Sequence, residues 1–431
     1  MSTIIALSTP ATSGAIAVIR LSGTQSLNLV KKAFSGFKGE VKPRFMYYGT
    51  LDAGSVKDDC MCVYFKGPHS YTGEDVVEIN CHGSVAIIKG IIEYFLQNGA
   101  VSAERGEFTK RAFINGKLDL TECEGVIDLI NAQSAAQVKS AYSQLSGALA
   151  KRIEEIQRVI IEAIAKIEVS LDYPEEDIEE IATAQAKSNI EKIINALTSL
   201  KNGYDGGRIL REGVKVSIIG KPNVGKSRIL NSLLGYERAI VTDIEGTTRD
   251  TLQESYEYNG MKFVITDTAG IRETSDKVEK IGVELSLKQA KSCDIVVLVT
   301  EVGGEFENIE TDARIIRVEN KIDLKNSTRC DTVKVSAKTG EGIDSLKQKI
   351  YEVARGEITI EEGCINNTRH LSCVEEALRC ASEARDSIDT VTLDVVSSDL
   401  NNAYRALGKI TGITSSDEIV GEIFTKFCVG K

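Results

Sequence analysis

One eight-residue segment constrains the fold of this chain more than any other. Residues 220–227 read Gly-Lys-Pro-Asn-Val-Gly-Lys-Ser and follow an apolar, strand-like run at 214–219. A strand, a glycine-containing turn and a helix beginning near Lys226 form the setting in which backbone N–H groups and a helix N-terminus bind phosphates. In that setting we expect Lys226 to contact the β- and γ-phosphates and Ser227 to ligate Mg²⁺. The segment therefore predicts a phosphate-binding loop in an α/β domain.

Four further segments follow this loop in the order expected of a GTPase. A threonine pair at 247–248 can close on Mg²⁺, and an Asp-Thr-Ala-Gly run at 267–270 follows a strand that brings its carboxylate near the metal. In the Asn-Lys-Ile-Asp run at 320–323, Asp323 can accept hydrogen bonds from the N1–H and 2-amino group of guanine, a donor pair that adenine lacks. The Ser-Ala-Lys run at 336–338 would hold the guanine carbonyl. The chain is therefore predicted to bind and hydrolyse GTP.

The predicted GTP-binding residues come from five segments. They are Asn223, Val224, Gly225, Lys226, Ser227, Arg228, Thr242, Asp243, Ile244, Glu245, Gly246, Thr247, Thr248, Asp267, Thr268, Ala269, Gly270, Asn320, Lys321, Asp323, Ser336, Ala337 and Lys338. Many small GTPases carry a water-orienting glutamine directly after the glycine that corresponds to Gly270. This chain has Ile271 at that position, and because an apolar side chain cannot orient water, another polar group must do so. Asn223 either offers its side-chain oxygen to a monovalent cation that spreads the developing negative charge, or only shapes the loop.

Length and composition set wider limits. A chain of 431 residues predicts about three domains, and a net charge of −11 argues against bulk electrostatic binding of nucleic acid, although one local patch for RNA stays possible. Ten cysteines without a CxxC pair, and no signal peptide, favour a reducing cytosol, and we interpret Cys60 and Cys62 as core thiols. Apolar runs are too short for a membrane span. We therefore expect a cytoplasmic protein without a membrane partner.

The pattern of apolar and polar residues changes along the chain. Residues 1–118 mix strand and helix signals and predict an α+β domain, 119–210 show helical periodicity, 211–355 alternate strands and helices, and 356–431 are helical again. The fold class is thus multidomain, with an α+β N-terminal domain, a helical central domain and an inserted α/β P-loop GTPase domain. The tail helices are expected to pack beside the earlier ones, and a separate C-terminal domain is the alternative.

Several motifs resemble one family, the MnmE (also called TrmE) GTPases that modify the wobble uridine of tRNA. Outside the GTPase segment the resemblance rests on short runs in both ends of the chain: 19–23 (Ile-Arg-Leu-Ser-Gly), 71–79, 81–83 (Cys-His-Gly), 106–113, 115–120 and 427–431 (Phe-Cys-Val-Gly-Lys). The resemblance implies that 1–118 bind a tetrahydrofolate derivative (5-formyl- or 5,10-methylene-tetrahydrofolate) and dimerise. Matching folate-binding positions are Arg20, Glu78, Lys117 and Lys431. A carboxylate suits the donor edge of a pterin, and cations suit a glutamyl tail.

The same resemblance implies a partner and a reaction. The protein would act as a homodimer with a flavin-dependent (FAD) MnmG-type protein, forming a heterotetramer, and would add an aminomethyl-type group (carboxymethylaminomethyl) to C5 of the wobble uridine of certain tRNAs. K⁺ would stimulate hydrolysis through Asn223, Thr242, Ile244 and Thr247, and Mg²⁺ would be held by Ser227 and Thr248. Glu279 matches the family's water-positioning glutamate and, with Lys226, is a candidate catalytic residue. Cys428 is either a catalytic nucleophile or a buried structural thiol.

Some features depart from the pattern. Arg228 stands where a small serine is common, and the short spacings from Asp294 to Asn320 and from Asp323 to Ser336 imply that the helices flanking these strands are short or absent. His82 is either catalytic or, as we favour, a core or turn residue. Two other classes compete: a ribosome-assembly, RNA-binding GTPase switch, which would carry a basic appendage, and a dynamin-like membrane-remodelling GTPase, which would carry a membrane-binding face. Neither signature is visible in the sequence.

Overall fold

The computed structural model describes residues 1–172, 176–235, 254–266, 293–356, 362–390 and 392–431. The chain divides into two compact units. The first unit comprises 1–127, 144–189 and 383–431, and the second comprises 128–143 and 190–382. The helices of the described ranges, in chain order, are α1 (Ser26–Ala33), α2 (Val85–Gln97), α3 (Glu107–Ile114), α4 (Leu120–Asn131), α5 (Ala135–Leu145), α6 (Ala148–Asp172), α7 (Glu176–Asn202), α8 (Tyr204–Glu212), α9 (Lys226–Leu234), α10 (Ile343–Arg355), α11 (Thr368–Ser387), α12 (Leu393–Thr411) and α13 (Asp417–Thr425).

A six-stranded sheet forms the centre of the first unit. Its strands are β1 (Ile4–Leu7), β2 (Gly14–Ser22), β3 (Met46–Asp52), β4 (Lys57–Phe65), β5 (Val76–Gly83) and β6 (Val101–Ser102). They lie in the order β3-β4-β5-β2-β1-β6, and all neighbours are antiparallel except β1 and β6. Because side chains alternate between faces, one face packs on α1 and α2 around residues such as Ile19, Leu51 and Phe95. The thiols of Cys60 and Cys62 lie in this core, as predicted.

The tail of the chain packs within the same unit. Helix α12 lies against α6, and the Gln157 amide donates to the Tyr404 carbonyl at 3.2 Å. Helix α13 begins after Ser416, whose hydroxyl accepts the Ile419 N–H as an N-cap. Its apolar side joins a cluster that includes Cys123 and residues 420, 423, 424 and 427. The last residues then run beside the N-terminal half of the chain, because Val429 forms a β-bridge with Arg105.

The described residues of the second unit form a second six-stranded sheet. Its strands are β7 (Val214–Ile219), β8 (Glu254–Tyr258), β9 (Met261–Thr266), β10 (Ile295–Glu301), β11 (Arg314–Asn320) and β12 (Val333–Lys334), in the order β12-β11-β10-β7-β9-β8. All neighbours are parallel except β8 and β9. The first six residues of β10 are buried, as expected for a central strand covered on both faces. Helix α9 follows β7 directly, so the phosphate-binding segment lies at the carboxyl edge of this parallel sheet.

Two connections in this unit lack helices. The described residues 302–313, between β10 and β11, and 321–332, between β11 and β12, contain no helix, which confirms the expectation drawn from their short spacing. Phe306, Ile309 and Ala313 of the first loop instead pack on Val296 and Leu298 of β10. The buried carboxylate of Glu319 in β11 bonds to both loops.

The predicted fold class is confirmed, since an α+β sheet unit, long helices and a P-loop α/β sheet are all present. The boundaries 1–118, 119–210, 211–355 and 356–431 stay a prediction.

Candidate functional site

The phosphate-binding loop has the backbone geometry that such a loop requires. Asn223 and Gly225 both have positive φ, 64° and 97°, which favours glycine at the second position. A Cβ on Gly225 would lie 2.3 Å from the Asn320 amide nitrogen, so glycine is also needed there for space. The ammonium of Lys226 donates to the carbonyls of Gly220 at 2.7 Å and Lys221 at 2.9 Å. The lysine charge is thereby held inside the loop, where phosphates bind in such loops.

The buried side chain of Asn320 joins two loops of the site. Its amide nitrogen donates to the Val224 carbonyl at 2.8 Å, and its amide oxygen accepts the Ala337 N–H at 3.0 Å. Asp323 accepts a hydrogen bond from the Ser336 hydroxyl at 2.7 Å, and Ser336 is fully buried. The exposed carboxylate of Asp323 is thus oriented by a buried hydroxyl, and the two base-binding segments are held against the phosphate loop.

An open cavity of about 730 Å³ lies between these segments. Ten residues predicted from sequence line it: Asn223, Gly225, Lys226, Ser227, Arg228, Asn320, Lys321, Asp323, Ala337 and Lys338. Leu324 also lines it, and the sequence reasoning missed this residue although it directly follows the guanine-binding run. The same cavity is thus lined by the phosphate-loop residues Lys226 and Ser227 and by Asp323 of the predicted base-binding run, the two groups of residues that a bound nucleotide requires.

A second group of predicted residues converges in the first unit. The guanidinium of Arg20 donates to the Glu78 carboxylate through Nε at 2.9 Å and lies within 2.7 Å through its terminal nitrogen. It also lies over the rings of Tyr71 and Phe108, at 5.5 and 5.6 Å from the ring centroids. Burial and the nearby charge of Arg20 lower the pKa of Lys431, whereas Glu78 opposes that change. Arg20, Glu78 and Lys431 therefore share one site.

The backbone of the tail fixes this site. The Lys431 carbonyl accepts the Phe108 N–H at 3.2 Å, and the Gly430 carbonyl accepts the Ser8 hydroxyl at 3.2 Å. Lys117, the fourth predicted folate residue, is exposed and packs against Gly73, two residues after Tyr71. It therefore adjoins the same loop, but the structure gives no direct contact between its described atoms and the Arg20 pair.

A buried ion-pair network supports this loop, and the sequence reasoning did not identify it. The guanidinium of Arg111, 5% exposed, pairs with Glu74 at 3.0 Å and Glu107 at 2.8 Å. It also donates to the Ser2 carbonyl at 2.8 Å. Glu74 lies in the motif at 71–79, and Glu107 and Arg111 lie in the motif at 106–113. The sequence therefore contained the three charged residues, but only the folded structure shows that they pair.

Comparison with known proteins decides the family. The family model described as MnmE helical domain matches residues 120–428, and the model described as GTP-binding protein TrmE N-terminus matches residues 3–117. The tRNA modification GTPase MnmE of Acetivibrio thermocellus is 40% identical over 454 aligned residues, covering 100% of this chain and 99% of that protein. The corresponding protein of Carboxydothermus hydrogenoformans is 42% identical over 458 residues, with the same coverage. The chain belongs to the MnmE family.

Membership of the MnmE family confirms the predicted GTPase activity and implies GTP and Mg²⁺ at the phosphate loop. Among solved structures, the G domain of FeoB from Methanococcus jannaschii shares 26% identity over 33% of this chain and 98% of its own length, at a TM-score of 0.26; family membership does not depend on it. Within the described ranges, no helix has the length and apolarity needed to cross a membrane.

Several predicted residues of the MnmE-type site lie outside the described residues. They are Thr242, Asp243, Ile244, Glu245, Gly246, Thr247, Thr248, Asp267, Thr268, Ala269, Gly270, Ile271 and Glu279. Of the predicted K⁺ ligands, Asn223 alone is described, and it is exposed and lines the cavity. The roles of these residues stay predictions.

Two alternatives raised by the sequence are wrong. Cys428 is exposed, so it is not a buried structural thiol; its role as a nucleophile stays a prediction. The side chain of His82 is 68% exposed, and its Nδ1 lies 2.7 Å from the buried carboxylate of Asp58, so it is not a core histidine. It lies at the end of β5, on the exposed face of the sheet. The pattern Cys-His-Gly contains no signal for the Asp58 partner, which comes from the neighbouring strand.

Proposed function

We propose that this MnmE-family protein is a K⁺-stimulated GTPase that completes a modification of tRNA. Together with an MnmG-type FAD protein, it attaches an aminomethyl-type group (carboxymethylaminomethyl) to C5 of the wobble uridine of certain tRNAs. The one-carbon unit comes from a tetrahydrofolate derivative, and the protein acts in the cytoplasm as a homodimer within a heterotetramer. The observation that supports this function most directly is the convergence of Arg20, Glu78 and Lys431, because GTP hydrolysis alone does not require it.

The chemistry of this cluster suits a folate. A carboxylate such as that of Glu78 can accept hydrogen bonds from the N–H and amino groups of a pterin, and the cations of Arg20 and Lys431 suit carboxylates of a glutamyl tail. The half-buried ring of Tyr71, over which the Arg20 guanidinium lies, adds an apolar wall on which a flat heterocycle can pack. Partial burial of Lys431 lowers its pKa, and an anion bound beside it would offset this desolvation. When bound, the folate supplies the one-carbon unit.

Calorimetric titration with 5-formyltetrahydrofolate tests the folate assignment. Lys431→Met removes the ammonium but keeps the backbone carbonyl that accepts the Phe108 N–H. A hydrogen bond to a charged group contributes roughly 1.5–3 kcal/mol, so we expect about a ten- to hundredfold loss of affinity. The matched control is Lys426→Met, an exposed lysine in the same segment. No heat with the intact protein, or equal affinities for the two variants, would refute the assignment.

The exposed face of the first sheet supports a homodimer. Tyr48 pairs with Met61 across β3 and β4, and Ile16 lies on the same face; their exposed fractions are 72%, 41% and 62%. Such a face commonly packs against another protein surface. Met46 heads the row that continues through β4 to Glu78 and Arg20, so a second copy docked there would adjoin the proposed folate site. Light scattering should show a dimer that Tyr48→Glu converts to a monomer; a monomeric native protein would contradict this.

The GTPase cycle is proposed to use K⁺. Asn223 lines the cavity beside Lys226, which is where a monovalent cation would offset charge developing on the phosphates. Thr242, Ile244 and Thr247 would complete its ligands, Ser227 and Thr248 would hold Mg²⁺, and Glu279 would position water. Hydrolysis should slow sharply when Na⁺ replaces K⁺, and Asn223→Ala should remove that difference. Equal rates of the native protein in both salts would refute the cation model.

The complete reaction is tested in cells. Mass spectrometry of wobble uridines from cells that lack this protein should show loss of the C5 substituent, restored by the native chain. Restoration by Cys428→Ser would exclude the proposed nucleophile, while failure of the native chain to restore the modification would contradict the proposed function itself.

A further inference from the structure

A cavity in the first unit has a cationic lining that none of the proposed roles uses. It has a volume of about 370 Å³ and is lined by Pro43, Arg44, Lys66, Gly67 and His69, which we term the cationic pocket. Among the described residues, no acidic side chain lines it, although the whole chain carries a net charge of −11. In an acidic protein, such a local concentration of positive charge indicates a binding site for an anionic ligand.

The cationic pocket is built by the backbone of two neighbouring loops. The Arg44 N–H donates to the Tyr64 carbonyl at 2.7 Å, and its guanidinium donates to the His69 carbonyl at 3.2 Å. The nearby carboxylate of Asp75 accepts the Gly67 N–H at 2.9 Å. The two loops are therefore tied together by hydrogen bonds, while the charged groups of Arg44 and Lys66 stay exposed to solvent.

An exposed aromatic side chain, that of Phe45, directly follows Arg44 of the cationic pocket in the sequence. Phe45 is 59% exposed, and the Lys42 ammonium lies 5.8 Å from the centroid of its ring. An exposed ring among cations is the combination that binds single-stranded nucleic acid, because bases stack on the ring while phosphates meet the charges. An exposed phenylalanine has no comparable use in binding a small inorganic anion.

The position of the cationic pocket relates it to the proposed folate site. Lys66 lies three residues beyond Val63, and Val63 pairs with Glu78, the partner of Arg20. At about 3.4 Å per residue, the strand places Lys66 roughly 10 Å from that row. A nucleotide beside the folate site could therefore have its neighbouring phosphates in the cationic pocket.

We propose that the cationic pocket and Phe45 bind the single-stranded anticodon loop of the tRNA substrate, with phosphates at Arg44 and Lys66 and a base stacked on Phe45. This inference rests on the proposed function, since it assigns the surface that presents the wobble uridine to the one-carbon donor. It also accounts for how an acidic chain contacts RNA, through one local patch.

The test measures binding of a fluorescently labelled anticodon stem-loop RNA to the full chain over a series of KCl concentrations. A plot of log Kobs against log salt has a negative slope, and each lost phosphate contact to a single strand reduces the magnitude of this slope by about 0.7. The double variant Arg44→Gln/Lys66→Gln should therefore reduce the magnitude by about 1.4 and weaken binding roughly 25-fold near 0.1 M salt. Phe45→Ala should weaken binding about tenfold or more and leave the slope unchanged. The matched control is Lys32→Gln/Lys89→Gln, which removes the same charge from exposed positions on α1 and α2.

Three readouts separate the outcomes. If the native chain does not bind this RNA, or if the double variant matches the control, the inference is overturned. If the double variant instead loses affinity only for a polyglutamylated folate, the pocket serves the tail of the donor and the RNA assignment is wrong. If RNA binding changes as expected but cells lacking the chain keep their wobble modification, the RNA surface stands and the proposed function fails. GTP hydrolysis by each variant should stay at the native rate, and an unchanged thermal midpoint of the first unit reports that the mutated unit folds correctly.

Discussion

Glu319 holds together the two helix-free loops of the nucleotide-binding unit. Its carboxylate is 1% exposed. It accepts the Gly303 N–H at 3.1 Å from the first loop, and it accepts the Ser327 and Thr332 hydroxyls, the latter at 3.2 Å, from the second. Arg329 lies 3.6 Å from the same carboxylate. We predict that every replacement of Glu319 destabilises this unit. The loss of stability should be smaller for a side chain that keeps more of the hydrogen bonds made by the Glu319 carboxylate.

The expected magnitudes follow from these partners. Glu319→Ala leaves the exposed Gly303 N–H and the half-buried Arg329 without this acceptor and removes the charged acceptor of two hydroxyls, so we expect a cost of about 2–3 kcal/mol. Glu319→Gln keeps an oxygen for Gly303, and the hydroxyls of Ser327 and Thr332 can reverse to accept from the new amide. Only the charge facing Arg329 is then lost, so we expect about 1–2 kcal/mol. The control Glu310→Gln lies exposed in the first loop and should change stability by less than about 0.5 kcal/mol.

The stability difference should depend on pH. Burial opposes ionisation of Glu319, but hydrogen bonds from Ser327, Gly303 and Thr332, with the charge of Arg329, outweigh it and lower the pKa of Glu319 below its ordinary value of 4.5. A carboxyl group with a lowered folded-state pKa stabilises the fold above its unfolded-state pKa and loses that effect as pH falls through the folded-state pKa. The advantage of the native chain over Glu319→Gln should therefore be constant near pH 7 and shrink below about pH 4.5.

Hydrogen exchange measured by mass spectrometry is the suitable assay, because a chain of two units need not unfold in one step. The Val335 N–H donates to the Glu319 carbonyl at 2.9 Å, so peptides from β11 and β12 report opening at this place. The reasoning is supported if exchange is fastest in Glu319→Ala, slower in Glu319→Gln and slowest in the control Glu310→Gln. It would be refuted if Glu319→Ala exchanged like Glu310→Gln, or if the gap between native chain and Glu319→Gln did not narrow in acid.

Three further changes have defined outcomes. Asn320→Ala should weaken binding of a fluorescent GDP roughly 10- to 100-fold, because it removes the bond to Val224 of the phosphate loop and the bond to Ala337 of the 336–338 run. The exposed Asn326 lies nearby, so Asn326→Ala should bind normally, and equal affinities of the two variants would contradict this. Asp323→Asn should favour xanthosine over guanosine nucleotides in a competition assay, since an amide cannot accept both guanine donors; unchanged preference would exclude its role. Arg111→Met should lower the thermal midpoint of the first unit by several degrees, because Glu74 and Glu107 lose their buried partner; an unchanged midpoint would show that the network contributes nothing.

The nucleotide site could be predicted in detail because its chemistry is local. The glycines and Lys226 of the phosphate loop, and Asp323 of the base-binding run, each follow a strand at a fixed spacing, and parallel strands bring their carboxyl ends to one edge of a sheet. The assembly in the cavity therefore follows from strand order. The folate cluster was different, because Arg20 and Lys431 stand at opposite ends of the sequence and only a family resemblance connected them.

What the sequence could not reveal depends on neighbours from other strands. His82 was interpreted as a core or turn residue, yet the Asp58 carboxylate beside it comes from β4 and leaves the ring exposed. Cys428 follows the buried Phe427 in an apolar tail pattern, but Val429 forms a bridge with Arg105 and both Cys428 and Val429 are exposed. Alternation and spacing define which face a residue occupies only after the pairing of the element is known.

The helix-free loops show which parts of the GTPase fold the site needs. Helices usually cover both faces of a parallel sheet, but here Phe306 and Ile309 of a short loop pack on Leu298 of β10. On the adjacent connection, the buried carboxylate of Glu319 replaces the ordering that a helix would supply. Asn320 directly follows Glu319, so the residue that anchors the loops also fixes the start of the base-binding run. The end of β11 thus positions the predicted guanine-binding run without these helices, and loosening Glu319 should weaken nucleotide binding as well as stability.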